Sequence, residues 1–298
     1  MTVGYSVLFC DCARSEGRVA NAPTGVMADK GFSADQLRAI AANLGPHKAR
    51  VVELNNFVPA ELVNDAVDSC VLVLQNNQEL ADNALMQVTA LKYDTFTASR
   101  GKVVNAHSRH MVFLGSHGSR APDPATGLNT VKDFSEVPAL ERARAYVTEL
   151  LGTTDCNSGC VLKYPDIDKC GIGWHGDGER RQTIVMRVGA TSYKRPLCFQ
   201  WYLRGEPVGK ACSITLRHGD MAIACAKSVG TDWKTRNVPT LRHATGFLKQ
   251  GPVPAPTSKT AKTALKRKRV YEEEFEGMDG RVYGSTGGAG HGHGGPGL

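Results

Sequence analysis

The chain has 298 residues, 41% of them hydrophobic, with a formal net charge of +7 and a pI of about 8.9. That length gives one large domain or two smaller ones with a sizeable core, and no apolar stretch approaches the ~18 residues of a membrane-spanning helix. The mild basic bias permits a nucleic-acid partner without requiring one, and the Lys266–Arg269 cluster supplies part of it.

Residues 1–30 lack a basic start followed by an apolar run, so no secretory leader is expected. They show no regular pattern. Residues 32–44 read as a helix: Ser33 is the N-cap, and Leu37, Ile40, Ala41 and Leu44 share a face. Residues 51–57 read as a strand, and Pro59 opens a second helix through about residue 74. Residues 93–135 read as loop, with strand material at 102–104 and 111–114. They are rich in Arg100, Lys102, His107, Arg109, His110 and Arg120. An amphipathic helix follows over 138–151.

Strand signals dominate beyond it, at 159–164, 171–175, 182–188, 197–203, 212–216, 221–225 and 240–244. Gly, Pro and Asp turns separate them, as in a sandwich or barrel. Residues 251–262 read as a linker, and 284–298 as a Gly-rich disordered end. Three segments result. Residues 1–50 form an N-terminal extension with one helix. Residues 51–250 form the main domain, with a helical flank and lid over 51–151 and a β core over 152–250. Residues 251–298 form a basic, Gly-rich tail. No internal repeat is evident.

Nine cysteines, an odd number scattered from Cys10 to Cys225, read as reduced thiols in an intracellular protein, cytoplasmic or nuclear. Cys156, Cys160 and Cys170 lack the paired spacing of a zinc site, so free core thiols are the better reading. Lys266–Arg269 reads equally as a nuclear-localisation or polyanion-binding patch and as a charged tail.

The most informative run is G-I-G-W-H-G-D-G-E over 171–179. Residues two apart on a strand point to one face. At a strand end, His175 and Asp177 could therefore bind one metal, with no side chain on Gly176 between them to obstruct it. Two His and one carboxylate make the facial triad of non-haem Fe(II) oxygenases, which leaves three positions open. The alternative is a surface turn, since Gly-Asp-Gly is ordinary turn chemistry. For the third ligand, His291 and His293 lie in the Gly-rich end, and His218 precedes a Gly-Asp turn. His243 lies on a later strand, either as that ligand or as a core histidine.

Around this run the chain resembles the Fe(II)/2-oxoglutarate dioxygenases, and most their AlkB-like branch. The resemblance covers roughly 50–250 and is strong in 160–246. Its carriers are Tyr164, the run 172–179, Leu216-Arg217-His218-Gly219-Asp220 before an apolar strand, Trp233, and Val238-Pro239. In that branch a His follows the Trp closely; here those places hold Lys234, Thr235 and Arg236, and the next His is His243. The branch's final Arg-rich strand is absent in its usual form.

The resemblance implies an α+β, mainly β fold: a double-stranded β-helix, or jelly roll, of about eight strands with helices from 33–75 and 138–151 on one sheet. It implies Fe(II) on His175, Asp177 and His243, with 2-oxoglutarate and O₂ as co-substrates and no catalytic residue beyond the metal site. A buried cation should take the far carboxylate, since Arg offers it a bidentate fork. Arg187 and Lys249 are the candidates, helped by the Tyr164 hydroxyl. Arg109, Trp174, Glu179, Arg180 and Arg181 are candidate substrate contacts. For Arg180 and Arg181 the plainer reading is solvation or pairing with Glu179; for Trp174 and Trp201 it is the core.

The expected activity is hydroxylation of a C–H bond, with oxidative demethylation of nucleic-acid bases as the leading substrate class. A protein or small-molecule hydroxylase is the alternative among enzymes. A jelly-roll binding protein with a degenerate metal site is the alternative outside them.

Overall fold

A computed structural model describes residues 2–13, 24–99 and 102–246, all within one unit that spans Met1–Pro256. In chain order the first half carries β1 (Gly4–Cys10), α1 (Ala34–Leu44), β2 (Ala49–Glu53), β3 (Cys70–Leu74), α2 (Gln78–Ala90) and β4 (Phe96–Ser99). Then come β5 (Lys102–Asn105), β6 (His110–Gly115), β7 (Val131–Asp133) and α3 (Pro138–Leu151). The second half carries β8 (Ser158–Tyr164), β9 (Gly171–His175), β10 (Thr183–Val188), β11 (Leu197–Leu203) and β12 (Glu206–Ile214). It ends with β13 (Met221–Ala224), α4 (Ala226–Val229) and β14 (Thr240–Gly246).

The fold is mainly β. An eight-stranded sheet runs β2-β3-β13-β10-β1-β8-β6-β7, a four-stranded sheet runs β12-β11-β14-β9, and β4 and β5 form a separate hairpin. The two faces of the large sheet differ. Val7, Phe9, Leu72, Val161, Ile184, Met186 and Ile223 point to one face. There they pack against Leu37 of α1, Ala81, Ala84 and Val88 of α2, and Leu140, Ala143 and Val147 of α3. Their neighbours at odd register, among them Ser6, Leu8, Val71, Cys160, Leu162 and Val185, point the other way. They line a cavity shared with Leu197, Phe199, His243 and Thr245 of the small sheet. One face of the large sheet is thus a helix-covered core, and the other encloses a chamber.

Local sequence explains where the helices start and stop. The Ser33 hydroxyl accepts from the Gln36 amide and caps α1. Pro138 stands in the first turn of α3, where its missing N–H costs nothing, and Gly152 closes the helix in the left-handed conformation.

Two expectations need correcting. No helix runs from Pro59 to residue 74. A single 3-10 turn, Ala60–Leu62, is followed by β3, whose five residues are all buried between β2 and β13. A strand buried on both faces reads as a continuous apolar run and mimics helical spacing over a short window. Residues 1–50 are also no extension. β1 lies in the middle of the large sheet, antiparallel to β8 on one side and β10 on the other. Its run GYSVLFC hides the alternation because Ser6 and Leu8 face the chamber while Val7 and Phe9 face the core. β2, β3 and β6 bring parts of the expected flank into the same sheet. α2 was not expected at all, although Ala81, Ala84 and Val88 are spaced for one face. The linker, basic cluster and Gly-rich end beyond residue 250 lie outside the described residues.

No helix among the described residues is long and apolar enough to cross a membrane.

Candidate metal centre and its cavity

β9 and β14 pair antiparallel, and the register sets His175 directly opposite His243. The two imidazoles meet edge-on with centroids 4.4 Å apart. Asp177 follows in the turn after β9, its amide donating to the Val229 carbonyl at the end of α4. One carboxylate oxygen lies 3.6 Å from His175 Nε2, and the other lies 3.6 Å from His243 Nε2. One ligand atom from each residue falls within 4.8 Å of the others, the spacing of a group able to hold a metal ion.

The surroundings prepare these donors. His175 Nδ1 lies 2.7 Å from the Gly173 carbonyl and donates to it, which turns Nε2 toward Asp177. His243 is bonded to the Ser228 backbone, and burial above all pushes its pKa down to about 4 although Asp177 pulls the other way. Its imidazole is neutral at physiological pH and free to donate a lone pair. Burial would raise Asp177, but the positive field of Arg180, then of His243, His175 and Arg109, outweighs it. The carboxyl is held below its ordinary range.

Gly176 has a sharper reason than an open path to a ligand. A Cβ there would sit 2.2 Å from the Gly230 carbonyl and 2.6 Å from Trp233 Cβ. The residue between His175 and Asp177 is pressed against the segment that follows α4, and only glycine fits.

The cluster opens into the chamber between the sheets, about 320 Å³ in volume. Arg187, a candidate from the sequence, lies in it and is 1% exposed. Its guanidinium crosses between the sheets, donating to Ser6 of β1 and to Thr245 of β14. Arg195, which sequence reasoning missed, is equally buried. It donates to Ser6 Oγ at 3.1 Å and to the Tyr5 carbonyl, and stacks 4.3 Å over the Tyr164 ring. Tyr164 lines the cavity beside both guanidiniums, its hydroxyl buried without completing a hydrogen bond of good geometry. Arg187 Nε and Arg195 Nε are also buried and unpartnered.

Among the described residues, no carboxylate is paired with either charge. Burial first, and for Arg195 the neighbouring Arg187 charge second, lowers both, Arg195 to about 9. A buried guanidinium with an idle donor, such as Arg187 on the cavity wall, is suited to an anion. Nothing in the local sequence distinguished Arg195 from other basic loop residues.

The remaining candidates divide. Arg109, Glu179 and Arg180 line the cavity. Arg180 is 8% exposed and paired with Glu179, so the plainer reading of its charge holds together with its place in the cavity. Arg181 points away. Its amide donates to the buried Asp11, and its guanidinium is taken up by the Ala28 and Asp29 carbonyls. It is therefore no candidate substrate contact. Trp174, next to His175 on β9, faces the opposite side of that strand and does not line the cavity. Trp201 is core, 1% exposed, with its indole N–H on the Leu54 carbonyl. His218 is a structural turn residue, accepting from the Gly189 amide and lying 3.0 Å from Asp82. Arg100 and Lys249 lie outside the described residues. Cavity residues the sequence did not flag include Ser6, Ser228, Val229 and Thr245.

All nine cysteines are buried. Cys156, Cys160 and Cys170 sit in three separate apolar clusters, which agrees with free core thiols.

No profile of a known protein family matches the chain. It is 33% identical over 246 residues to an uncharacterized protein of Acanthamoeba polyphaga mimivirus, a match covering 81% of this chain and 94% of that protein. With a third of the residues identical along nearly the whole of the viral protein, the chain belongs to the same family as that mimivirus protein.

Proposed function

We propose that this chain is an Fe(II)/2-oxoglutarate-dependent dioxygenase with a divergent AlkB-like site, and that its two facing sheets are the halves of a double-stranded β-helix. The observation that carries the proposal is that one cavity holds both a His-Asp-His group and the buried Arg187, with Arg195 packed behind it on Ser6 and Tyr164. The donor set suits the metal: two neutral imidazoles and one carboxylate are the ligands of non-haem iron oxygenases and leave positions open. The idle donors suit the co-substrate. His243 and Thr245 are two apart on β14, and both line the cavity. Such residues are displaced along a strand by about 6.7 Å. Arg187 reaches Thr245, so an anion held there stands one such step from the metal group, a spacing that suits a five-carbon dicarboxylate bound at both ends.

When bound, Fe(II), 2-oxoglutarate and O₂ would supply the oxidation of a substrate C–H bond. The chain's own residues position and shield. His175, Asp177 and His243 would hold the metal, with Gly173 and the Ser228 backbone fixing the two imidazoles. Arg187, Arg195 and Tyr164 would take the far carboxylate, Arg187 through its fork. Leu8, Leu162, Val185 and Phe199 line the cavity with apolar surface and keep bulk water out.

For the substrate, a nucleic-acid base in a single strand is the favoured class. Trp233 lines the cavity, the Arg242 guanidinium lies 5.2 Å from its ring and 3.9 Å from that of Tyr202, and Lys234 Nζ lies 5.3 Å from the Trp233 ring. Aromatic faces interleaved with cations are what a stacked base and its phosphates require.

The test is turnover. Protein reconstituted anaerobically with Fe(II) should release succinate from 2-oxoglutarate in air, and faster with methylated single-stranded oligonucleotides than with peptides. His243→Ala should abolish it. No succinate from iron-loaded protein under any of these conditions would overturn the reading.

A further inference from the structure

Arg180 is buried in the cavity wall, and its guanidinium faces three groups at once. Its Nε lies 3.6 Å from Asp177 Oδ2 and 3.1 Å from Glu179 Oε1, its Nη2 also binds Glu179 Oε1, and its Nη1 donates to Cys10 Sγ at 3.7 Å. Cys10 is 0% exposed on the central strand β1, so Arg180 is anchored from behind by the rigid part of the sheet.

Glu179 is the group this arrangement restrains. It lies two residues past Asp177 and lines the same cavity, yet its carboxylate stands outside the His175, Asp177 and His243 group. A second carboxylate on a short tether beside a divalent metal site is a competing ligand. Entry of Glu179 would fill a position that a two-His, one-carboxylate centre keeps open for chemistry. Arg180 offers Glu179 a buried fork instead, and charge-assisted bonds of this kind are among the stronger polar contacts in proteins.

We propose that Arg180 is a positioning residue that holds Glu179 off the metal, so that the centre keeps its open positions. This rests on the reading of His175, Asp177 and His243 as metal ligands. The alternative role, orienting Asp177 alone, predicts the opposite sign. Loss of an outer partner that only orients a ligand weakens metal binding, by about 10- to 100-fold in known sites. Release of a competing carboxylate adds a ligand and tightens it.

The experiment is anaerobic titration of the full chain with Co(II), following the visible absorption bands that report coordination number. Wild type should bind one Co(II) with the weak bands of an open, water-bearing site. Arg180→Met should bind it several-fold tighter, with altered bands. Glu179→Gln in the Arg180→Met background should restore the wild-type bands and affinity. Arg180→Lys keeps the buried charge but loses the fork, and should show the same change in smaller measure if the methionine variant folds poorly. Weaker binding with unchanged bands in both Arg180 variants would overturn the proposal, as would a double variant that keeps the altered bands. A wild-type chain that binds no Co(II) would overturn the metal-site reading itself, and this inference with it.

Discussion

Arg187 on β10 reaches across the chamber to Thr245 on β14, joining the two sheets at a point where no carboxylate of the described residues pairs with it. The contact puts a permanent positive charge on the same strand face as His243. Burial disfavours that charge, and an anion beside it would relieve the cost.

A first prediction follows from that cost. Replacing even a buried ion pair by apolar side chains of similar volume is often neutral or stabilising, by about 1–4 kcal/mol, and a buried charge without a partner is costlier to keep. Arg187→Met should therefore leave the ligand-free protein as stable as wild type or more so. 2-Oxoglutarate should stabilise wild type by about 2.7 kcal/mol at a hundred times its dissociation constant, and should leave the variant unmoved. Thermal melts with and without the dicarboxylate measure both effects. A wild-type melting temperature that ignores 2-oxoglutarate would argue against an anion site.

Gly176 gives the second prediction. A methyl group there meets the Gly230 carbonyl and Trp233 at distances no real contact shows. Gly176→Ala must displace the turn between the two ligands, with an overpacking cost of roughly 1–3 kcal/mol. It should lower the melting temperature and abolish metal binding together. Gly178→Ala, where a Cβ meets nothing within 4 Å, is the matched control and should do neither.

The third prediction concerns pH. His243 titrates at about 4 in the folded, metal-free protein because burial disfavours its charge, against about 6.5 unfolded. Between those values the unfolded chain binds more protons, so stability rises with pH across the window. The metal-free protein should lose on the order of 2–3 kcal/mol as pH falls from about 6.5 to about 4. His243→Gln should flatten that slope. Urea melts at several pH values test it; an unchanged slope in the variant would assign the effect elsewhere.

How much of this was legible in the chain depended on whether an element buries one face or two. α1 and α3 announced themselves by their spacing, with Ser33 and Pro138 marking their starts. β9 and β11 were bounded by turn residues. β1 and β3 were not legible, because a central strand between a helix-covered core and a chamber is buried on both sides and shows no alternation. His175 and Asp177 stood out because Gly176 separates them in a short motif. His243 could be named only by setting the other histidines aside, and the register that sets it opposite His175 is tertiary information. The neighbours Arg180 and Arg181 looked equivalent in sequence. One faces the cavity and the other the Ala28 and Asp29 carbonyls, a difference made by Asp11, which fixes the backbone between them. Arg195 gave no signal, since its role arises only from standing beside Arg187.

The last prediction concerns the cavity mouth. If a single-stranded nucleic acid docks there, the cations around Trp233 should carry part of the binding. Among the described residues, Arg109 and Arg180 are basic candidates that line the cavity, and Arg180 is occupied by carboxylates. The phosphate contacts would then fall on Arg109 in the cavity and on Lys234 and Arg242, which do not line it but are grouped on Trp233 and Tyr202. Each phosphate neutralised on a single strand contributes about 0.7 to the log–log salt slope. Lys234→Gln should thus weaken binding across all sequences and reduce that slope by about this amount. Trp233→Ala should instead leave the slope alone and cost about 1–3 kcal/mol, the worth of one stacked base. Fluorescence anisotropy with labelled single-stranded DNA and RNA at several salt concentrations separates the two effects. A peptide or small-molecule substrate would show no oligonucleotide binding even at low salt, or binding whose slope Lys234→Gln leaves untouched.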